Sequence, residues 1–180
     1  MKIATSRPRG VYSAFSRRLR IALLAWLAML GLDFLLNGAV FARMYQEGGP
    51  FFLVPAEAFR RIPIGYLAFL VLAIAVVEIA DRLRADTFAE GIRLGLVTGG
   101  VLAAVWSLSL FSIATINALG ALEFAVIWLA LLVTGTMVAA SGLGRKSLRA
   151  LTFRVVVFDV ACGVVVVALQ SFGLVQTVKL

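Results

Sequence analysis

The chain has 180 residues, 62% of them apolar and 14% charged, with 17 Lys+Arg against 9 Asp+Glu and a formal charge of +8. With a mean hydropathy of +1.04, that balance excludes a water-soluble domain, whose core at this size cannot hide so much apolar surface, and excludes disorder. A lone cysteine, Cys162, excludes a disulfide scaffold, and the absence of histidine removes Ser-His-Asp and Cys-His catalysis and nearly every zinc site.

A helix crosses the hydrocarbon of a bilayer with about 20 apolar residues. Five stretches qualify or nearly do: residues 21–41, 64–80, 94–116, 124–141 and 155–175. The expected fold is therefore all-α, a polytopic membrane bundle of five transmembrane helices in a single domain. The basic segment 1–20 is expected as a cytoplasmic tail. It holds Lys2, Arg7, Arg9, Arg17, Arg18 and Arg20, a cluster that attracts anionic lipid at about 1 kcal/mol per residue. The basic charges lie between runs of membrane length, so the pI near 10.8 points to lipid and not to nucleic acid.

The first span follows that cluster. Its flank Val40-Phe41-Ala42 fits a signal-peptidase site, but Asp33 and Asn37 interrupt the apolar run, which is also long for a signal peptide. We read it as an uncleaved helix. Between the first two spans, Gly48-Gly49-Pro50 and the aromatic run Phe51–Val54 suggest an interfacial loop reaching to Tyr66, with Pro63 opening the second helix. Glu78 has Arg82 four residues on as a partner.

Thr87-Phe88-Ala89-Glu90 reads as a capping box before the third span. That span carries Gly91, Gly95, Gly99, Ala103 and Ser107 at intervals of four, a stripe of small residues along which another helix can approach closely. We expect packing inside the bundle; a homo-oligomer interface is the alternative. Asn117 and Gly120 make a short turn to the fourth span, so the two helices should be antiparallel neighbours. Glu123 should fall in the first turn of the fourth helix. Gly135, Ala139 and Gly142 form a weaker small-residue stripe there. In the fifth span Cys162 reads as a small packing residue.

Orientation follows from the Lys and Arg count. With the N-terminus inside, the inner segments hold 13 of these residues and the outer segments 4. The expected topology is N-terminus in the cytoplasm, C-terminus outside, in a bacterial inner membrane.

Polar residues inside such spans are costly and are site candidates by default. Asp33 and Asn37 share a face of the first span, Ser107 lies on the third, and Asp159 and Gln170 lie on the fifth. Counting about 1.5 Å per residue places Asp33 about 18 Å deep, within reach of Ser107, and Asn37 level with Gln170 at about 24 Å. Asp159, at about 7 Å, should be too shallow to reach Asp33 and could pair with Arg93 or Arg154. No basic residue lies near the depth of Asp33.

No catalytic motif, metal-ligand cluster or cofactor signature is present, so neither an enzyme nor a cofactor is expected. Two functions remain: a non-catalytic subunit or assembly factor of a membrane complex, or a small oligomeric transporter or channel using Asp33 and Asp159. The partners expected are the bilayer, anionic lipid at the basic tail, and either a second copy or another membrane protein.

Overall fold

The computed structural model describes residues 9–43, 53, 55–145 and 147–175. Within them the chain is all-helical, with α1 at Arg9–Leu35, α2 at Pro55–Arg82, α3 at Phe88–Ile113, α4 at Ala118–Leu143 and α5 at Arg149–Ser171. All five helices are long and apolar enough to cross a membrane. A π-helical turn, Leu36–Val40, extends α1. Lys2, Arg7, Lys146, Lys179 and the loop residues 44–52 and 54 lie outside the described residues.

Each helix contains or overlaps one expected span, but the starts differ. α1 begins at Arg9, so Arg17, Arg18 and Arg20 are helical and not part of a tail. α2 begins at Pro55, so Pro63 lies inside the helix and 56–61 are helical rather than loop. A proline at the first helical position needs no partner for its missing N–H, and Pro55 takes that place. Pro63 forgoes one interior hydrogen bond instead. α4 begins at Ala118, which moves Glu123 beyond the first turn; Asn117 caps this end by accepting from the Gly120 amide at 2.7 Å. The capping box of α3 forms as the sequence spells it: Thr87 Oγ1 accepts from the Glu90 amide and Glu90 accepts from the Thr87 amide.

The α2–α3 turn is a Schellman motif, in which the Ala85 amide donates to the Ala80 carbonyl at 2.9 Å and the Arg84 amide to Asp81 at 3.1 Å. Its left-handed position is held by Arg84, with φ 55°. The end of α5 uses the same motif with Gly173, φ 68°, at that position.

The centre of the bundle is α4, which meets the small-residue stripe of α3 on one side and turns its own stripe towards α1 on another. Towards α3, a Cβ on Gly91 would lie 2.8 Å from the Met137 Cα, and one on Gly95 would lie 2.5 Å from the Val133 Cα. The buried residues of α3 are Gly91, Gly95, Gly99, Ala103 and Ser107, so the whole stripe is covered by α4 of the same chain. Towards α1, Gly135 meets the Met29 sulfur and Gly142 meets Ile21. An aromatic tier ties three helices together: Phe69 of α2 and Trp106 of α3 both stand edge-on to Trp128 of α4, with ring centroids 6.0 and 6.5 Å away.

α1 is the second hub, packing on α2, α4 and α5. At one end of the bundle its arginines fix it in place. Arg17 Nη2 donates to the carbonyls of Gly142 and Leu143 at 3.1 Å, and to that of Arg145, satisfying the last turn of α4. Arg18 pairs with Glu78 at 3.4 Å and Asp81 at 2.5 Å, at the end of α2. Glu78 also accepts from Arg82 at 2.9 Å, the pairing expected from their spacing. This end gathers the starts of α1, α3 and α5 and the ends of α2 and α4, and with them most of the arginines.

Candidate functional site

The polar candidates of the first and fifth spans make three contacts, two of which join α1 to α5. Asn37 Nδ2 donates to Asp33 Oδ1 at 2.7 Å, a bond within α1 that crosses into the π-helical turn. Gln170 Nε2 donates to the Gly38 carbonyl at 3.3 Å, joining α5 to the same turn. Asp159 packs against Gly31: a Cβ there would lie 3.0 Å from the carboxyl carbon and 3.2 Å from the Cα of Asp159.

The π turn is where Gln170 meets α1. Its wider winding is closed by the Phe41 amide donating to Leu36 at 2.7 Å, and such turns displace neighbouring carbonyls from their usual partners. Gly38 also gives Val166 room, since a Cβ there would lie 3.3 Å from a Val166 methyl.

Depth counting fails for Asp159. It sits level with Gly31, two residues from Asp33, not a third of the way along. The reason is the register of the helix pair, which is set by Gly31 against Asp159 and Gly38 against Val166 and not by the edges of the apolar runs. In that register Arg149 stands level with Ile21, so Asp159 and Gly31 each lie about 15 Å farther along. Nor does Asp159 pair with Arg93 or Arg154: its Oδ1 is buried without a hydrogen-bond partner, and it makes no ion pair among the described residues.

Asp33 and Asp159 nonetheless face different ways. Gly31 and Gly38 mark the side of α1 that meets α5, and Asp33 is turned about 200° from Gly31 on a helix of 3.6 residues per turn. It shares the face of Trp26, seven residues earlier, whose indole N–H donates to the Tyr66 carbonyl of α2 at 2.8 Å. Asn37 bonds Asp33 and not Gln170. Ser107 is removed from the group altogether: α3 packs on α4, and the Ser107 hydroxyl is buried in that interface without a partner. Its expected contact with Asp33 is not made.

Sequence reasoning missed Gly31, Gly38 and Arg17. The glycines belong to no regular stripe, and Arg17 falls in the segment expected as a tail. Gly31 and Gly38 are seven residues apart, the interval of one helix face, and that spacing was available as a signal. Cys162 is buried and free, as befits a packing residue. Among the described residues no cluster of His, Cys, Asp or Glu could hold a metal ion.

Comparison with protein families, with curated proteins and with solved structures finds no match to this chain. The five apolar helices themselves are the basis on which the class rests; they are consistent with a multi-pass membrane protein.

Proposed function

We propose that the chain is a multi-pass membrane protein, N-terminus inside and C-terminus outside, that serves as a non-catalytic subunit or assembly factor of a membrane complex. The observation that carries this reading is how the polar side chains are spent. Gln170 holds the Gly38 carbonyl, Trp26 holds the Tyr66 carbonyl, Arg17 caps α4 and Arg18 clamps α2. These are contacts that fix helices relative to one another, and helix orientation is what a scaffold needs. The charge bias supports the orientation, because the arginine-rich end of the bundle is the end expected to stay in the cytoplasm.

The second reading, a small oligomeric transporter or channel, draws on Asp159 Oδ1, which is buried without a partner. Weighing against it, Asp33 and Asp159 look to opposite sides of α1, so they do not form one binding site. Purification in a mild detergent followed by native mass measurement separates the two. Co-purifying subunits are expected for the first reading. A lone homo-oligomer that passes cations or protons in vesicles would overturn it in favour of the second.

A further inference from the structure

We propose that a cleft between the first half of α1 and the start of α5 binds one anionic phospholipid, headgroup at its basic mouth and an acyl chain along its apolar wall. The cleft has a volume of about 1090 Å³ and is open along one side. That is at the upper limit of ordinary small-molecule pockets, about 300–1,000 Å³, and an open-sided trough suits a molecule lying along the helices.

Its two halves differ in chemistry. Arg20, Arg149 and Ser147 line the mouth. Leu23, Phe153 and Val156 follow about 5–10 Å farther along the helix axes. These three are 39%, 70% and 48% exposed, so the wall is accessible rather than filled by the fold. Along one groove the lining passes from guanidinium to hydrocarbon in the order that a phospholipid passes from phosphate to chain.

Charge complementarity selects an anion. Among the described residues neither Arg20 nor Arg149 makes an ion pair, and no carboxylate lines the cleft. Three other arginines of this end are used differently: Arg18 and Arg82 meet Glu78 and Asp81, and Arg17, which also lines the cleft, is spent on the α4 carbonyls. Two unpaired guanidiniums lining one mouth suit a phosphate, which accepts from both. The hydrocarbon wall distinguishes a lipid from a free anion, which has no use for Phe153 or Val156. Basic pockets between membrane helices recognise anionic headgroups by this combination.

The proposal rests on the membrane placement above, which carbonate extraction of the chain from vesicles tests separately. The binding test uses the whole chain in neutral detergent, with thermal unfolding and native mass as readouts. The probes are dioleoylphosphatidylglycerol, dioleoylphosphatidylcholine, inorganic phosphate and an oligoglutamate peptide. Phosphatidylglycerol is expected to be retained at one copy per chain and to raise the Tm, and the other three are not. The double variant R20Q/R149Q should bind phosphatidylglycerol about thirtyfold more weakly. Val156→Trp, which keeps both charges and fills the wall, should weaken it as well. R84Q/R93Q removes the same charge away from the cleft and should bind as the parent does. Unchanged binding in R20Q/R149Q or in Val156→Trp, or equal weakening in R84Q/R93Q, would overturn the site. Equal stabilisation by phosphate or oligoglutamate would overturn the lipid as its occupant.

Discussion

Gly31 and Asp159 set how closely α1 and α5 approach: a side chain on Gly31 would lie 3.2 Å from the Asp159 Cα and would collide with its carboxylate. A carboxyl-bearing residue is thus held against bare backbone, in a helix pair with few other polar contacts. Gly31→Ala should cost about 1–3 kcal/mol through overpacking. Most of that cost comes from the carboxylate, so the penalty should shrink in an Asp159→Ala background. A double-mutant cycle on thermal unfolding measures the difference. An equal penalty in both backgrounds would mean that the two residues are not in contact.

The α3 stripe gives a comparison within one helix. Gly95→Ala drives a methyl group against the Val133 backbone, 2.5 Å away, whereas a methyl on Gly100 meets nothing within 4 Å. The first substitution should destabilise by about 1–3 kcal/mol. The second should be neutral or stabilise by up to about 1 kcal/mol, because alanine is the better helix former. Thermal unfolding of the two variants in one detergent reads both signs. If Gly95→Ala is as well tolerated as Gly100→Ala, the α3–α4 contact is wrong.

How much of this was legible in the sequence depends on periodicity. Five apolar runs, the Thr87–Glu90 box and the stripe from Gly91 to Ser107 are regular patterns in one segment, and each appears in the fold. The stripe gave its own face but not its partner, since small residues fit any neighbour; only the matching row of Met137, Val133 and Leu132 on α4 decides that. The candidate site was harder to read. Asp33, Asn37, Asp159 and Gln170 were visible as polar residues in apolar runs, but their pairing depends on helix starts, a π turn and two isolated glycines. Depth counting assumed that a helix begins where its apolar run begins. α1 and α5 both begin earlier, by different lengths, so the edges of their apolar runs mark no common level; only the Gly31–Asp159 and Gly38–Val166 contacts fix the register.

Arg84 occupies a backbone conformation that Gly173 fills at the end of α5. An L-residue there costs about 1–2 kcal/mol relative to ordinary helical backbone, and glycine does not incur it. Arg84→Gly should therefore stabilise by up to about 1 kcal/mol, an unusual direction for a glycine substitution. Arg84→Val, β-branched, should do the opposite. Chemical or thermal unfolding of the pair tests the turn geometry without reference to function.

Topology can be read with single cysteines in a Cys162→Ala background. Ser147 lies between α4 and α5 and Thr115 between α3 and α4, so α4 separates them. In intact cells an impermeant maleimide should label a cysteine at Thr115 and leave one at Ser147 unreacted until the membrane is opened. Labelling of both from outside would mean that α4 does not span. Labelling of Ser147 alone would invert the orientation drawn from the charge bias.

Asp33 separates a structural from a transporting role. Its Oδ1 accepts from Asn37 at 2.7 Å, and that is a bond an amide oxygen can also accept. Asp33→Asn should leave thermal stability within about 0.5 kcal/mol of the parent, the range of substitutions that break no contact. Asp33→Leu removes the acceptor and leaves the half-buried Asn37 amide unpaired, which should cost about 1–3 kcal/mol. If the chain is a scaffold, its Asp33→Asn variant should assemble with partners as readily as the parent does, whereas Asp33→Leu weakens assembly in proportion to lost stability. A proton or cation carrier would show another pattern, in which Asp33→Asn folds and assembles normally yet abolishes flux into vesicles, since an amide cannot take up or release the proton at issue. The proportional pattern is the one expected from a side chain whose bond lies within its own helix, and loss of flux in a stable Asp33→Asn protein would reject it.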